Sequence, residues 1–114
     1  MGFLETRVKF EGMTTEDIIE VYRIFCNAYG ITSTKKDEEI LGLHGIEPLE
    51  TGGFLDFRPY DGAQFLCTRD GDEVHFIGHC RRHDYKGKEK NWDLQERIKD
   101  YFQKKTLPTL PRKP

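Results

Sequence analysis

Between Gly53 and Arg82 the apolar residues fall at nearly every second position, and two short polar interruptions break the run. The segments FLDFR, AQFLCT and EVHFIGHC are separated by PYDG and RDGD, which hold turn-forming Pro, Asp and Gly. Period two marks a strand with one buried face. Connections this short exclude a parallel crossover, so the stretch predicts a three-stranded antiparallel meander. Taking Asp70-Gly71 as the two residues of the second turn pairs Thr68 with Glu73 and Phe65 with Phe76. One face then carries Leu55, Phe57, Phe65, Cys67, Val74 and Phe76, the predicted core side. The other carries Phe54, Asp56, Gln64, Leu66, Thr68, His75, Ile77 and His79. A three-residue turn with a bulge at Gly71 would move His75 to the other register.

Upstream the spacing changes. In TEDIIEVYRIFCNAY, residues Ile18, Val21, Tyr22, Phe25 and Tyr29 recur at helical intervals, and Ile19 and Cys26 widen the stripe. Thr14 is placed to cap this helix, Glu16 and Asp17 stand in its first turn where the dipole favours anions, and Gly30 supplies a left-handed stop. RVKF before it alternates, with Val8 and Phe10 on one face and Arg7 and Lys9 on the other, and predicts a first strand. STKKDEEILGLHG predicts a short helix between a cap at Thr34 or Asp37 and Gly45, its pattern weakened by Gly42. GIEPLETGG predicts loop, from its Pro and paired Gly. After the charged KGKEK, a cap at Asn91 or Asp93 opens a last helix with Leu94, Ile98, Tyr101 and Phe102 as its apolar stripe and Lys104 and Lys105 at its C-terminal end.

The order is strand, helix, short helix, three strands, helix. It predicts an α+β two-layer sandwich: a mostly antiparallel four-stranded sheet with the helices on one face. Residues 1–107 make up this single domain, and 108–114 form an extended proline-containing tail. A chain of 114 residues buries roughly two-thirds of its unfolded surface, enough for a core without staples. No apolar run approaches the roughly 20 residues of a membrane span, and MGFLETRVKF lacks the basic head and apolar core of a signal peptide. The chain therefore reads as cytosolic, with no membrane partner. Three cysteines at irregular spacing, Cys26, Cys67 and Cys80, argue against a disulfide framework and for reduced thiols.

Charge divides the chain. Residues 1–80 hold 7 Lys and Arg against 15 Asp and Glu, a balance of −8, whereas residues 81–114 hold 11 against 5, a balance of +6. Such asymmetry suits an acidic partner, nucleic acid included. Within the basic part, RRHDYKGKEKNW interleaves Arg81, Arg82, Lys86, Lys88 and Lys90 with Tyr85 and Trp92, a combination that neutralises phosphates and offers rings for base stacking. Against this stand Asp84, Glu89 and a sequence pI of about 6.1. The helix–strand–strand–strand–helix order from 14 to 105 is similar to that of double-stranded-RNA-binding domains. The lysine–alanine motif that opens that family's last helix is absent, NWDLQERIKDY standing in its place, and no family is identified.

GHCRRH, from Gly78 to His83, gathers two histidines and a cysteine. Zinc needs four N or S ligands, and strand residues four apart stand roughly 13 Å from each other, so His79 and His83 do not share an ion while both lie on a strand. A turn after Cys80 would bring Cys80 and His83 together, with Asp61 opposite Cys80 in the register above. Arg81, Arg82 and His83 would also lower the pKa of Cys80 and favour a reactive thiolate, but no base, acid and oxyanion arrangement accompanies it. A small enzyme or metal protein using Cys80 and His83 is thus the weakest reading, and no catalytic residue, metal or cofactor is assigned.

Two features point to protein binding. LPTLPRK, with Pro108, Pro111 and Lys113, fits a proline motif that docks on SH3 domains. On the outer sheet face, Phe54, Leu66 and Ile77 ringed by Gln64, Thr68 and His75 form an apolar centre with a polar rim, unless segment 33–50 covers it. The leading expectation is a small cytosolic interaction module, an accessory subunit or an inhibitor, that binds another protein through Phe54, Leu66, His75 and Ile77. The basic segment would steer an acidic partner at long range. The alternative is a nucleic-acid-binding domain using Arg81, Arg82, Tyr85, Lys86, Lys88, Lys90 and Trp92.

Overall fold

The computed structural model describes residues 3–59, 62–80 and 91–106, and the side chains of all of these except 3, 4, 91–93 and 106. Along the chain run β1 (Phe3–Lys9), α1 (Thr15–Tyr29), α2 (Lys35–His44), α3 (Glu47–Glu50), β2 (Phe54–Phe57), β3 (Ala63–Asp70), β4 (Glu73–Cys80) and α4 (Asn91–Thr106). The strands form one antiparallel sheet in the order β1-β4-β3-β2. The arrangement is the α+β sandwich that the periodicities predict.

α1 starts where Thr14 and Asp17 close a capping box. The Asp17 amide donates to the Thr14 hydroxyl at 3.4 Å, and the Thr14 amide donates to the Asp17 carboxylate at 2.8 Å. It stops at Gly30, whose φ of 72° allows its amide to turn back toward Asn27 and Cys26. The stripe in between is buried, with Tyr22, Phe25 and Tyr29 fully so. α2 is capped by Thr34 and buries only Leu41, which fits its weak pattern. It is tied to α1 by the Tyr22 hydroxyl, which donates to Asp37 at 3.1 Å, and by Arg23, which donates to Glu38 at 2.7 Å.

The expected loop at GIEPLETGG is instead the single turn α3. Pro48 lies in the first turn, where its missing N–H costs nothing. The Ile46 carbonyl accepts from Leu49 and Glu50, and Leu49 is drawn fully into the core. Gly53 N–H then closes on the Pro48 carbonyl at 2.7 Å.

The β3–β4 hairpin turns one residue later than expected. Gly71 and Asp72 are the turn, so Asp70 faces Glu73, Thr68 faces His75 and Cys67 faces Phe76. Gly71 has a φ of 67°, whereas no described residue other than glycine has a positive one, and a glycine-first two-residue turn matches the twist of a hairpin. Moving the turn by one residue shifts each partner by two, an even step, and every side chain keeps its face. The predicted core side is accordingly buried in full: Leu55, Phe57, Phe65, Cys67, Val74 and Phe76.

β1 begins at Phe3, earlier than RVKF implied, and lies beside β4 with Thr6 opposite Phe76 and Val8 opposite Val74. α4 begins at Asn91, so neither Asn91 nor Asp93 stands outside it as a cap. Leu94 and Ile98 are fully buried, and the Phe102 ring lies 6.3 Å from that of Phe76. The buried residues of all four helices and all four strands named here belong to one cluster on the inner side of the sheet. Among the described residues no helix is long and apolar enough to cross a membrane.

Candidate functional site

The outer face is built from alternate residues of all four strands, and their registers set it out in rows. One row runs Glu5, Ile77, Leu66, Asp56; the next runs Arg7, His75, Thr68, Phe54. Leu66 and Ile77 are a direct cross-strand pair at the centre, both half-buried, and Phe54 stands diagonally from Leu66 with 61% of its surface exposed. The four residues expected to bind a partner, Phe54, Leu66, His75 and Ile77, are thus brought together. Segment 33–50 does not cover them, because its buried residues Leu41 and Leu49 belong to the core on the inner side.

The rim is polar and carries both signs. His75 Nε2 donates to the Glu5 carboxylate at 3.1 Å, and His79 Nε2 meets Gln64 Oε1 at 3.1 Å. Gln64 in turn donates to Asp56 at 3.1 Å, and Arg58 lies 3.6 Å from the same carboxylate. Arg7 stands 3.3 Å from Asp70 and 4.0 Å from Glu73. These pairs are solvated, and each is worth little to stability. They hold the rim side chains around Leu66 and Ile77, a layout in which apolar contact supplies affinity and the charges supply orientation. Glu5 and Arg58 escaped the sequence reading. The alternation of Glu5, Arg7 and Lys9 is the available signal for Glu5, but RVKF starts at Arg7, four residues after the strand itself begins at Phe3.

No protein-family model, no curated protein and no solved structure matches this chain. Its function has to be read from its own residues.

His79 and Cys80 point to opposite sides of β4. His79 is on the outer face, and Cys80 is 1% exposed among the core residues. The residue across from Cys80 is Ala63, not Asp61, because of the shifted turn. Asp61 and His83 lie outside the described residues, and so do Arg81, Arg82, Tyr85, Lys86, Lys88, Lys90, the Trp92 side chain and the proline-containing tail. Among the described residues no three His, Cys, Asp or Glu gather as a metal ion requires. Burial pushes the Cys26 thiol up to about 11 and the Cys67 thiol well above its usual value, so neither is a ready nucleophile.

One polar cluster away from this face joins residues too far apart in the chain for local pattern to reveal. Asp17, besides its capping role, accepts from the Tyr101 hydroxyl at 2.7 Å and from Lys105 Nζ, and Lys105 also donates to the Gly12 carbonyl at 2.6 Å. Asp17 is 2% exposed. The cluster joins the start of α1 to the end of α4, and every polar atom named in it is paired within the fold, as a structural tie requires.

Proposed function

We propose that the chain is a small cytosolic interaction module, an accessory subunit or inhibitor type of protein, that binds another protein on the outer face of its sheet. The observation that carries this reading is the half-buried pair Leu66 and Ile77, which no helix among the described residues covers, with the exposed Phe54 ring beside them and a rim of paired charges around them. A sheet face that only meets water alternates with polar residues throughout. Apolar side chains at the middle of such a face are what a partner would cover. The positive balance of residues 81–114 would speed the approach of an acidic partner.

The test is affinity capture followed by reconstitution of the captured complex, comparing the wild type with Leu66→Asp. Circular dichroism would confirm that the variant is folded. A carboxylate at the centre of the contact is expected to weaken a purified partner at least about tenfold. An unchanged capture profile and affinity would reject the outer face as the site. Anisotropy with labelled single-stranded RNA and DNA at two salt concentrations decides the other way. Salt-sensitive binding lost in Lys88→Glu and kept in Leu66→Asp would assign the function to the basic segment.

A further inference from the structure

The two sheet edges differ. β2 spans only Phe54–Phe57, two residues before Pro59, whereas β1 runs from Phe3 to Lys9 with neither proline nor bulge and, among the described residues, is paired on one side only. Natural sheets protect such an edge by shortening, bending or charging it, because its free backbone groups are a template for another strand.

The direction of those groups follows from the ladder. Phe10 N–H donates to the Asp72 carbonyl at 2.8 Å, so Phe10 is bonded to the β4 side. In an antiparallel pair the bonded positions alternate. Val8, Thr6 and Leu4 therefore also turn their amides and carbonyls toward β4, while Lys9, Arg7, Glu5 and Phe3 turn theirs outward.

We infer that β1 pairs with β1 of a second copy of this chain, antiparallel, about a two-fold axis at Thr6. Outward residues must meet outward residues, which limits the choice of axis. An axis at Glu5 sets two carboxylates opposite each other, and one at Arg7 sets two guanidinium groups opposite each other. An axis at Thr6 sets Glu5 opposite Arg7 of the second copy, twice by symmetry, so that unlike charges meet at both ends. Glu5 and Arg7 are about half exposed, at 51% and 47%, and their contacts within the chain leave them acceptor and donor capacity. On the inner side the same axis puts Thr6 opposite its own copy in a closely spaced, non-bonded pair. The Thr6 hydroxyl is buried without a hydrogen-bond partner among the described residues. Threonines directly opposite each other on neighbouring strands hydrogen-bond through their hydroxyls. The result joins two four-stranded sheets into one. The edge adjoins the outer face and shares Glu5 and Arg7 with its rim, but it is the β1 backbone that pairs there and Leu66 and Ile77 that centre the face, and neither proposal needs the other.

Sedimentation of the full chain across a concentration series tests this. A dimer is expected, weakened about tenfold or more by Glu5→Arg or Arg7→Glu alone, restored by the two together, and unaffected by Leu66→Asp. Amide exchange of the wild type gives a second reading that needs no variant. Thr6 and Val8 amides should be protected at all concentrations, and those of Glu5, Arg7 and Lys9 only where the dimer forms. A monomer at the highest soluble concentration overturns the inference. So does a dimer that gains no protection at Glu5, Arg7 and Lys9, or one that both single reversals leave intact.

Discussion

A carboxylate with 2% of its surface exposed has to be held ionised by its neighbours, and Asp17 is held by the Lys105 ammonium, the Tyr101 hydroxyl and the Thr14 amide. Burial on its own would raise the Asp17 pKa, but the bonds from Lys105, Tyr101 and Thr14 together outweigh it and keep the carboxyl below its ordinary 3.8. A folded-state pKa below the unfolded value means that the stabilisation is complete above about pH 4 and is lost as the pH falls through the folded value. Asp17→Asn is therefore expected to cost about 2 kcal/mol at neutral pH, since it removes the charge from a paired and buried site. In urea unfolding the gap between wild type and variant should close as the pH is lowered toward 3, and a gap independent of pH would mean that the charge is not what matters. Of this cluster, only the place of Asp17 in the first turn of α1, behind the cap at Thr14, was legible in the sequence. Tyr101 and Lys105 come from the other end of the chain, and local pattern does not encode which helix ends meet.

At the scale of elements, α1 lies so close to β4 that Gly78 is part of the packing. A Cβ on Gly78 would stand 2.9 Å from Cε1 of Phe25, a ring that is itself fully buried against Tyr29 and Phe65. With the ring fully buried and Tyr22, Tyr29 and Phe65 beside it, the added methyl overpacks the contact, so Gly78→Ala is expected to destabilise by about 1–3 kcal/mol, measured as a lower urea midpoint at unchanged slope. An alanine variant as stable as the wild type would show that α1 shifts on the sheet at little cost. In the sequence Gly78 is simply one residue of the strand EVHFIGHC, and its reason becomes visible only from the helix above it. The faces of residues 54–57, 64–68, 74–77 and 79 were legible, because period two survives an even shift of register. The turn itself was not, since Asp70-Gly71 and Gly71-Asp72 are both good turn pairs and only the demand for a positive φ at the first position separates them. α3 was hidden for a related reason: proline and paired glycines are read as breaks, although proline is well suited to the first turn of a helix.

For the molecule as a whole, the sequence specified a core and an outer face, with Cys26 and Cys67 on the core side, but the neighbour of β1 and the burial of Cys80 needed the assembled sheet. Cys26, Cys67 and Cys80 come from a helix and two strands and end in one core, at 1%, 0% and 1% exposure. A thiol reagent can reach such groups only when the structure opens, so its rate reports stability and not intrinsic reactivity. In native protein all three should react about a thousandfold or more slowly than in urea, without a fast phase, and addition of urea should bring them up together. The same measurement separates the two chemistries suggested for GHCRRH. A nucleophilic Cys80 at a basic strand end would react at once, as one fast thiol per chain in the native state, and Cys80→Ser would remove that phase. If the fast phase is absent, Cys80 acts as a core residue and His79, on the opposite side of the strand, belongs to the outer face with Gln64. The chemistry of the segment would then be divided between packing and recognition, with no catalytic centre at Cys80.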